Sequence, residues 1–306
     1  MYGVCKLRTP QTLRRALPLK RFHAINPNTI KRNRMYTLKN NQLTVEILDP
    51  VADSERFGVR YCTGGYIFQV HDAKLGPLLS GPTYPDSFNW FDGQGIPDAF
   101  NLSPLKTAES EPQALILGIG LCDLEERTIV APCQWQVTQE ANVVAFETEH
   151  VFDEWTVQIQ RRVTLIERSV LSWIRVQNSG RRPVPIRWFP HPFFPQLPEG
   201  QDELIKLNMA VEFPQSDVYE LAANGFIRRQ SWPWTDGHYQ ALDHNALSNL
   251  ILIQRHPLLG QLTATCSFAP DFFPIWGNQN TFSWEPFLER SLASGQAYAW
   301  QIDYDF

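Results

Sequence analysis

Glu154–Gly180 reads EWTVQIQRRVTLIERSVLSWIRVQNSG, and its side chains alternate. Trp155, Val157 and Ile159 share one parity, and Val163 and Leu165 continue it. That period of two is the signature of a strand with one buried face. A turn is expected near Glu167–Ser169, followed by a return strand through Leu171, Trp173 and Arg175. Asn178-Ser179-Gly180 has the turn chemistry to end it. The chain then changes character in PVPIRWFPHPFFP, Pro183–Pro195, where five prolines and four aromatics surround His191. Proline supplies no ladder donor, so this segment cannot be ordinary central strand throughout.

Outward from this hairpin, strand patterns dominate. NQLTVEILD and YIFQV precede it; ELIKLNMAVEF, SNLILIQR, QLTATCSFA and AYAWQIDYDF follow. Convincing helical periodicity is almost absent, and no 20–50-residue repeat favours a propeller or solenoid. Proline and glycine cluster between the strands, as in FDGQGIPDAF and SWPWTDG. No polar linker interrupts residues 35–306, so the expectation is one large antiparallel domain, two sheets packed face to face with long rim loops. A seven-stranded sandwich needs only about 100 residues, so more or longer strands are expected here.

Composition narrows the classes. No run of eighteen apolar residues offers a membrane span. Five scattered cysteines without a C-x-x-C spacing argue against a disulfide framework and a zinc site, and suit a reducing, cytoplasmic compartment. The net charge of −5 conceals an asymmetry. Residues 1–34 carry nine Lys/Arg and no acid, leaving 18 basic against 32 acidic side chains, or −14, for the remainder. Such an acidic body is a poor partner for nucleic acid or anionic membrane. The basic arm could be a nucleic-acid tail or a transit peptide; because Met35 reads as a fresh start, it is taken as disordered or as an over-extended start.

Phosphate loops and nucleophile elbows are missing: TGGYIF and DGQGIP lack the Lys and the following helix, and no G-x-S-x-G occurs. No histidines recur at metal-binding spacing, and the His238/His244 pair reads as loop. His191 is then open to two readings, a packed loop histidine or a general acid held by Pro190 and Pro192. Glu285, in FSWEPFLER, is either a solvated carboxylate or a base raised by apolar neighbours.

Three segments in order resemble the galactose mutarotase-like superfamily, which includes aldose 1-epimerases and hexose-6-phosphate 1-epimerases. SVLSWIRVQNSGRRPVPIRWFPHPFF, Ser169–Phe194, resembles its strand, Asn-x-Gly turn and His-Pro-aromatic-Phe signature. ALDHNALSNLIL, Ala241–Leu252, resembles its Asp-His-Asn run. FSWEPFLERSLASGQAYAWQIDYDF, Phe282–Phe306, resembles its closing Glu-Pro segment. The likeness runs from about Asn40 to Phe306 and implies a two-sheet supersandwich with the sugar in an open cleft.

By that resemblance Glu285 is the base, His191 the acid and Asp243 a ligand of sugar hydroxyls. Anomer interconversion needs one group to take the C1 hydroxyl proton while another protonates the ring oxygen, without metal or cofactor. A pyranose ring is expected between the two. The family's Asn-Arg pair and His-Gly-Gly loop are replaced by RYCTGGYIFQV and FNWFDGQGIPDAF. Arg60 stands in for the sugar-binding arginine, and Gln94 or Asp98 for the second histidine. Trp90, Phe91, Trp234 and Trp276 are candidate platforms. For a sugar phosphate, Arg60, Arg161, Arg228 and Arg229 are the candidate cations. A non-catalytic carbohydrate-binding protein on this scaffold is the alternative.

Overall fold

The computed structural model describes residues 35–81 and 88–306. The basic arm lies outside the described residues. Nearly every regular element among them is a strand, and the helical exception is one short 3-10 turn, Ser54–Arg56.

The hairpin forms as its alternation dictates. Trp155–Ile166 pairs antiparallel with Ser169–Asn178, with Ile166 opposite Ser169 and Leu165 opposite Val170. Glu167, at φ 51°, makes the tight turn. Partners across a ladder share a face, so Val170, Ile174 and Val176 are the buried apolar residues of the return strand. Leu171, Trp173 and Arg175, the residues named from the sequence, lie on the opposite, half-buried face. A two-residue turn sets that parity, and the side-chain pattern of the strand alone does not reveal it.

The hairpin sits inside a ten-stranded antiparallel sheet that also contains Glu203–Leu207, Ile251–His256, Gly260–Cys266 and Ala297–Asp305. Against it pack two smaller sheets. One joins Val184–Pro190 to Leu288–Leu292 and Asp98–Ala99; the other joins Phe194–Pro195, Thr281–Trp284, Phe273–Gly277, His238–His244 and Val211–Glu212. The interleaf is aromatic. Trp188 meets Trp300 at 5.3 Å between ring centroids, and Trp284 meets Tyr304 at 5.9 Å. The Trp284 indole donates to Gln254 Oε1 at 2.7 Å, so its polar edge is satisfied inside the core. The result is an all-β sandwich of antiparallel sheets. His238 and His244 turn out to be the two ends of a strand rather than loop residues.

Because Trp188 and Trp284 point into the sandwich, their neighbours point out of it. Phe189, Ser283 and Glu285 therefore emerge on the outer face of the smaller sheets. A second apolar cluster gathers there, with Tyr61, Tyr66, Phe189, Phe193 and Phe287 buried and Phe68, Phe88, Phe272 and Trp276 partly so. This layer surrounds the candidate site.

Candidate active site

His191 is fixed from both sides of the chain. Pro190 and Pro192 have no amide hydrogen, so only the alternate residues donate: His191 N to Pro97 O at 2.8 Å and Phe193 N to Gly95 O at 2.7 Å. The prolines thus leave a one-sided ladder against residues 95–97. Gly95, at φ +76°, makes that loop possible, since a Cβ there would stand 2.3 Å from Ile67 O. Glu285 is held similarly, its N donating to Pro274 O at 3.0 Å, with Pro286 next and Phe287 N donating to Phe272 O.

The two side chains meet. His191 Nε2 lies 3.3 Å from Glu285 Oε1, with only 6% and 10% of the respective side chains exposed. His191 Nδ1 lies 3.2 Å from Ser283 Oγ. The imidazole stacks on Phe193 at 4.4 Å and 22°, Tyr61 meets it edge-on at 6.2 Å, and Trp276 stands at 5.9 Å. Burial pushes the Glu285 carboxyl up to about 8, and the Arg60 guanidinium pulls it part of the way back. Burial, reinforced by the Arg60 charge, holds the imidazole well below its ordinary range. Burial thus disfavours the charged form of both members of the pair.

The close contact replaces the expected arrangement with a whole pyranose between acid and base.

Arg60 belongs to the same neighbourhood. Its Nη1 donates to Phe91 O at 2.6 Å, and its guanidinium lies over Phe91 at 4.5 Å and Tyr61 at 5.0 Å. Gln94 is buried one residue from the Gly95 carbonyl that accepts from Phe193, and among the described residues its Oε1 has no hydrogen-bond partner. Asp98 is committed elsewhere, in a buried ion pair with Arg161. The site does not gather Asp243 or Trp234. Asp243 is exposed and lines a recess of about 270 Å3 with Ala210, Glu212, His244 and Asn245. Trp234 is 1% exposed, packed edge-on against Tyr219 and His238.

The other candidate phosphate cations are also occupied. Arg161 holds Asp98, Arg228 pairs with Glu220, and Arg229 donates to the carbonyls of Leu197, Pro198 and Gln201. Sequence reasoning missed Ser283 and Tyr61. The signal for Ser283 was present, because a residue two before Glu285 on a strand shares its face. Tyr61, adjacent to Arg60, comes in through a loop and carried no such signal.

Among the described residues no group of three or more His, Cys, Asp or Glu is placed to hold a metal ion, and Cys62, Cys122, Cys133 and Cys266 are free thiols. No helix among them is long and apolar enough to cross a membrane.

No protein-family model matches the sequence, and no curated protein matches it significantly. Solved structures do. A presumed aldose 1-epimerase from Escherichia coli K12 superposes with a TM-score of 0.58 at 14% identity, covering 89% of this chain and 98% of the other. A galactose mutarotase related enzyme from Lactobacillus acidophilus gives 0.56 at 13%, covering 89% and 96%. A galactose mutarotase-like protein from Lactobacillus casei gives 0.53 at 12%, covering 89% and 99%. The likeness extends over nearly the whole of each partner, and what it shows is the fold: this chain has the β-sandwich architecture of these galactose mutarotase-like structures.

Proposed function

We propose that the protein interconverts the anomers of an aldose, with His191 and Glu285 as its acid–base pair. The observation that carries this reading is the 3.3 Å contact between two buried titratable groups beside Arg60 and an aromatic wall. The fold and the order of the three segments support it.

In the reacting form Glu285 is a carboxylate and His191 an imidazolium. The C1 hydroxyl proton passes to Glu285 while the Nε2 proton of His191 passes to the ring oxygen. The C1–O5 bond breaks and C1 becomes an aldehyde carbon. Rotation about C1–C2 presents the other face of the carbonyl, and closure reverses both transfers. The pair begins as an ion pair and ends as a neutral acid and neutral imidazole, so its proton count does not change. The same contact lets the resting proton move from Glu285 to His191 before the ring opens.

In this reading Arg60 holds a sugar oxygen through its guanidinium and Trp276 gives the ring an apolar platform. With Arg161, Arg228 and Arg229 engaged, an unphosphorylated aldose is the favoured substrate class. One observation favours the alternative of sugar binding without catalysis: Glu285 and His191 are each other's partners in the buried state and must part to serve a substrate.

Polarimetry on freshly dissolved α-anomers of a panel of aldoses and aldose 6-phosphates tests the reading. Acceleration over buffer on at least one aldose is expected. No acceleration on any member, with binding retained in calorimetry, would leave the binding reading in its place.

A further inference from the structure

We propose that Ser283 is the positioning residue at the Nδ1 side of this site: its Oγ accepts the Nδ1–H of His191, which leaves Nε2 as the nitrogen that exchanges protons. This role rests on the acid–base reading above, but it has a readout of its own.

The geometry divides the imidazole cleanly. Nε2 faces Glu285 at 3.3 Å and Nδ1 faces Ser283 at 3.2 Å. Both partners come from one stretch of chain. Ser283 lies in the strand Thr281–Trp284, opposite Trp276, and Glu285 follows it by two, so the period of the strand points both at one ring. The ring has little freedom to choose otherwise. Phe193 lies flat against it, Tyr61 stands edge-on, and its own backbone is tied to Pro97. Ser283 is fully buried, so no bulk water stands ready to take its place.

The proton inventory then assigns the hydroxyl's part. A neutral imidazole carries its proton on one nitrogen only, and an imidazolium on both. In the ion pair, Nδ1 and Nε2 are both protonated. After Nε2 has released its proton to the ring oxygen, Nδ1 still carries one. When Glu285 holds the proton and donates it to Nε2, Nδ1 again carries one. Nδ1–H is therefore common to every state that the reaction visits, and an acceptor at Nδ1 suits all of them. The excluded state has the proton on Nε2 and a bare Nδ1, and in it the ring cannot take a proton at Nε2 during closure. A hydroxyl can accept at Nδ1 or donate to it, so the partner at Nε2 makes the choice: when Glu285 donates there, Ser283 accepts at Nδ1, and without the hydroxyl that Nδ1–H would be buried unpaired. Ser283 touches no reacting atom here; it acts through His191.

The test uses the full chain labelled with 15N-histidine, with His191 assigned by loss of its signals in His191→Asn. Two-bond nitrogen–proton correlations report which ring nitrogen carries the proton. In the substrate-free wild type, His191 is expected as the Nδ1–H tautomer. Ser283→Ala should shift it toward Nε2–H, and Ser283→Thr, which keeps a hydroxyl, should hold it. With an aldose that the wild type turns over, Ser283→Ala should lower kcat on the order of 10- to 100-fold with KM little changed, and Ser283→Thr should recover most of it. A wild-type His191 found as Nε2–H would overturn the assignment without any variant. So would a Ser283→Ala protein whose His191 keeps the Nδ1–H form. If wild type accelerates no anomer exchange, the epimerase reading falls, while the tautomer spectra still decide the role of Ser283.

Discussion

Two buried pairs stand a few residues apart along the same crossing of chains, and they do opposite things. Asp98 and His191 both belong to the contact between residues 95–99 and 189–193, where Pro190 pairs with Asp98 and His191 donates to Pro97. Asp98 faces inward to Arg161, which donates from both terminal nitrogens. His191 faces outward to Glu285. A guanidinium does not release its proton, so the inner pair is a fixed clamp that ties the site loop to the large sheet. The outer pair joins two groups that burial pushes toward neutrality from opposite sides, and one proton can sit on either. Burial alone therefore does not distinguish the two pairs; exchangeability does.

That contrast can be broken most forcefully at the outer pair. Glu285→Gln and His191→Asn are each expected to lower the rate of anomer exchange by about 10^2- to 10^4-fold, because each removes one proton carrier. Circular dichroism and melting curves should remain close to wild type near neutrality. At the inner pair the expectation reverses. Arg161→Met strands the Asp98 carboxylate in the core and should cost about 3–5 kcal/mol in denaturant unfolding. Any rate loss there should follow the loss of folded protein.

A smaller effect separates the pairs by pH. The carboxyl of Glu285 is raised in the folded protein to about 8, so the folded state holds this proton more tightly than the unfolded chain does. Its contribution to stability is full below the unfolded carboxylate pKa and is lost as pH rises through about 8. Glu285→Gln removes that dependence, so the variant should gain on wild type between pH 6 and pH 9, on the order of 2 kcal/mol by chemical denaturation. His191 works in the other direction: its lowered value makes stability rise as pH passes upward through the ordinary histidine range. That contribution is common to wild type and Glu285→Gln and cancels from their difference. The smallest effect belongs to Asp243→Ala. Exposed in its own recess, this residue should change kcat/KM by less than about threefold, which corresponds to under about 0.7 kcal/mol. A larger loss would bring the recess into the substrate's path.

The molecule also shows what one sequence can and cannot reveal. Strands such as Leu43–Leu48 and Trp155–Ile166 were legible because a one-sided burial pattern writes period two into the chain. The parity of Ser169–Asn178 was not, because it is set by the turn and by the strand opposite. His191 and Glu285 were singled out by the proline-flanked segments around them, and the fold brings the two side chains into contact. The Asp98–Arg161 clamp was not, because a pair 63 residues apart has no local signature. Arg161 was a candidate phosphate ligand until its partner was visible. Trp234 failed as a platform for the same reason: a tryptophan's sequence neighbours do not say which side of a sandwich it faces.

The central claim is that one shared proton on His191 and Glu285 drives anomer exchange. The most direct measurement is NMR saturation transfer between the α and β H1 signals of an accepted aldose, followed from pH 5 to pH 10. The exchange rate per enzyme should be sustained through neutrality and fall above about pH 8 as Glu285 loses its proton, with Glu285→Gln near the buffer rate throughout. Enzyme-driven exchange that keeps rising past pH 9, or that survives in Glu285→Gln, would contradict it.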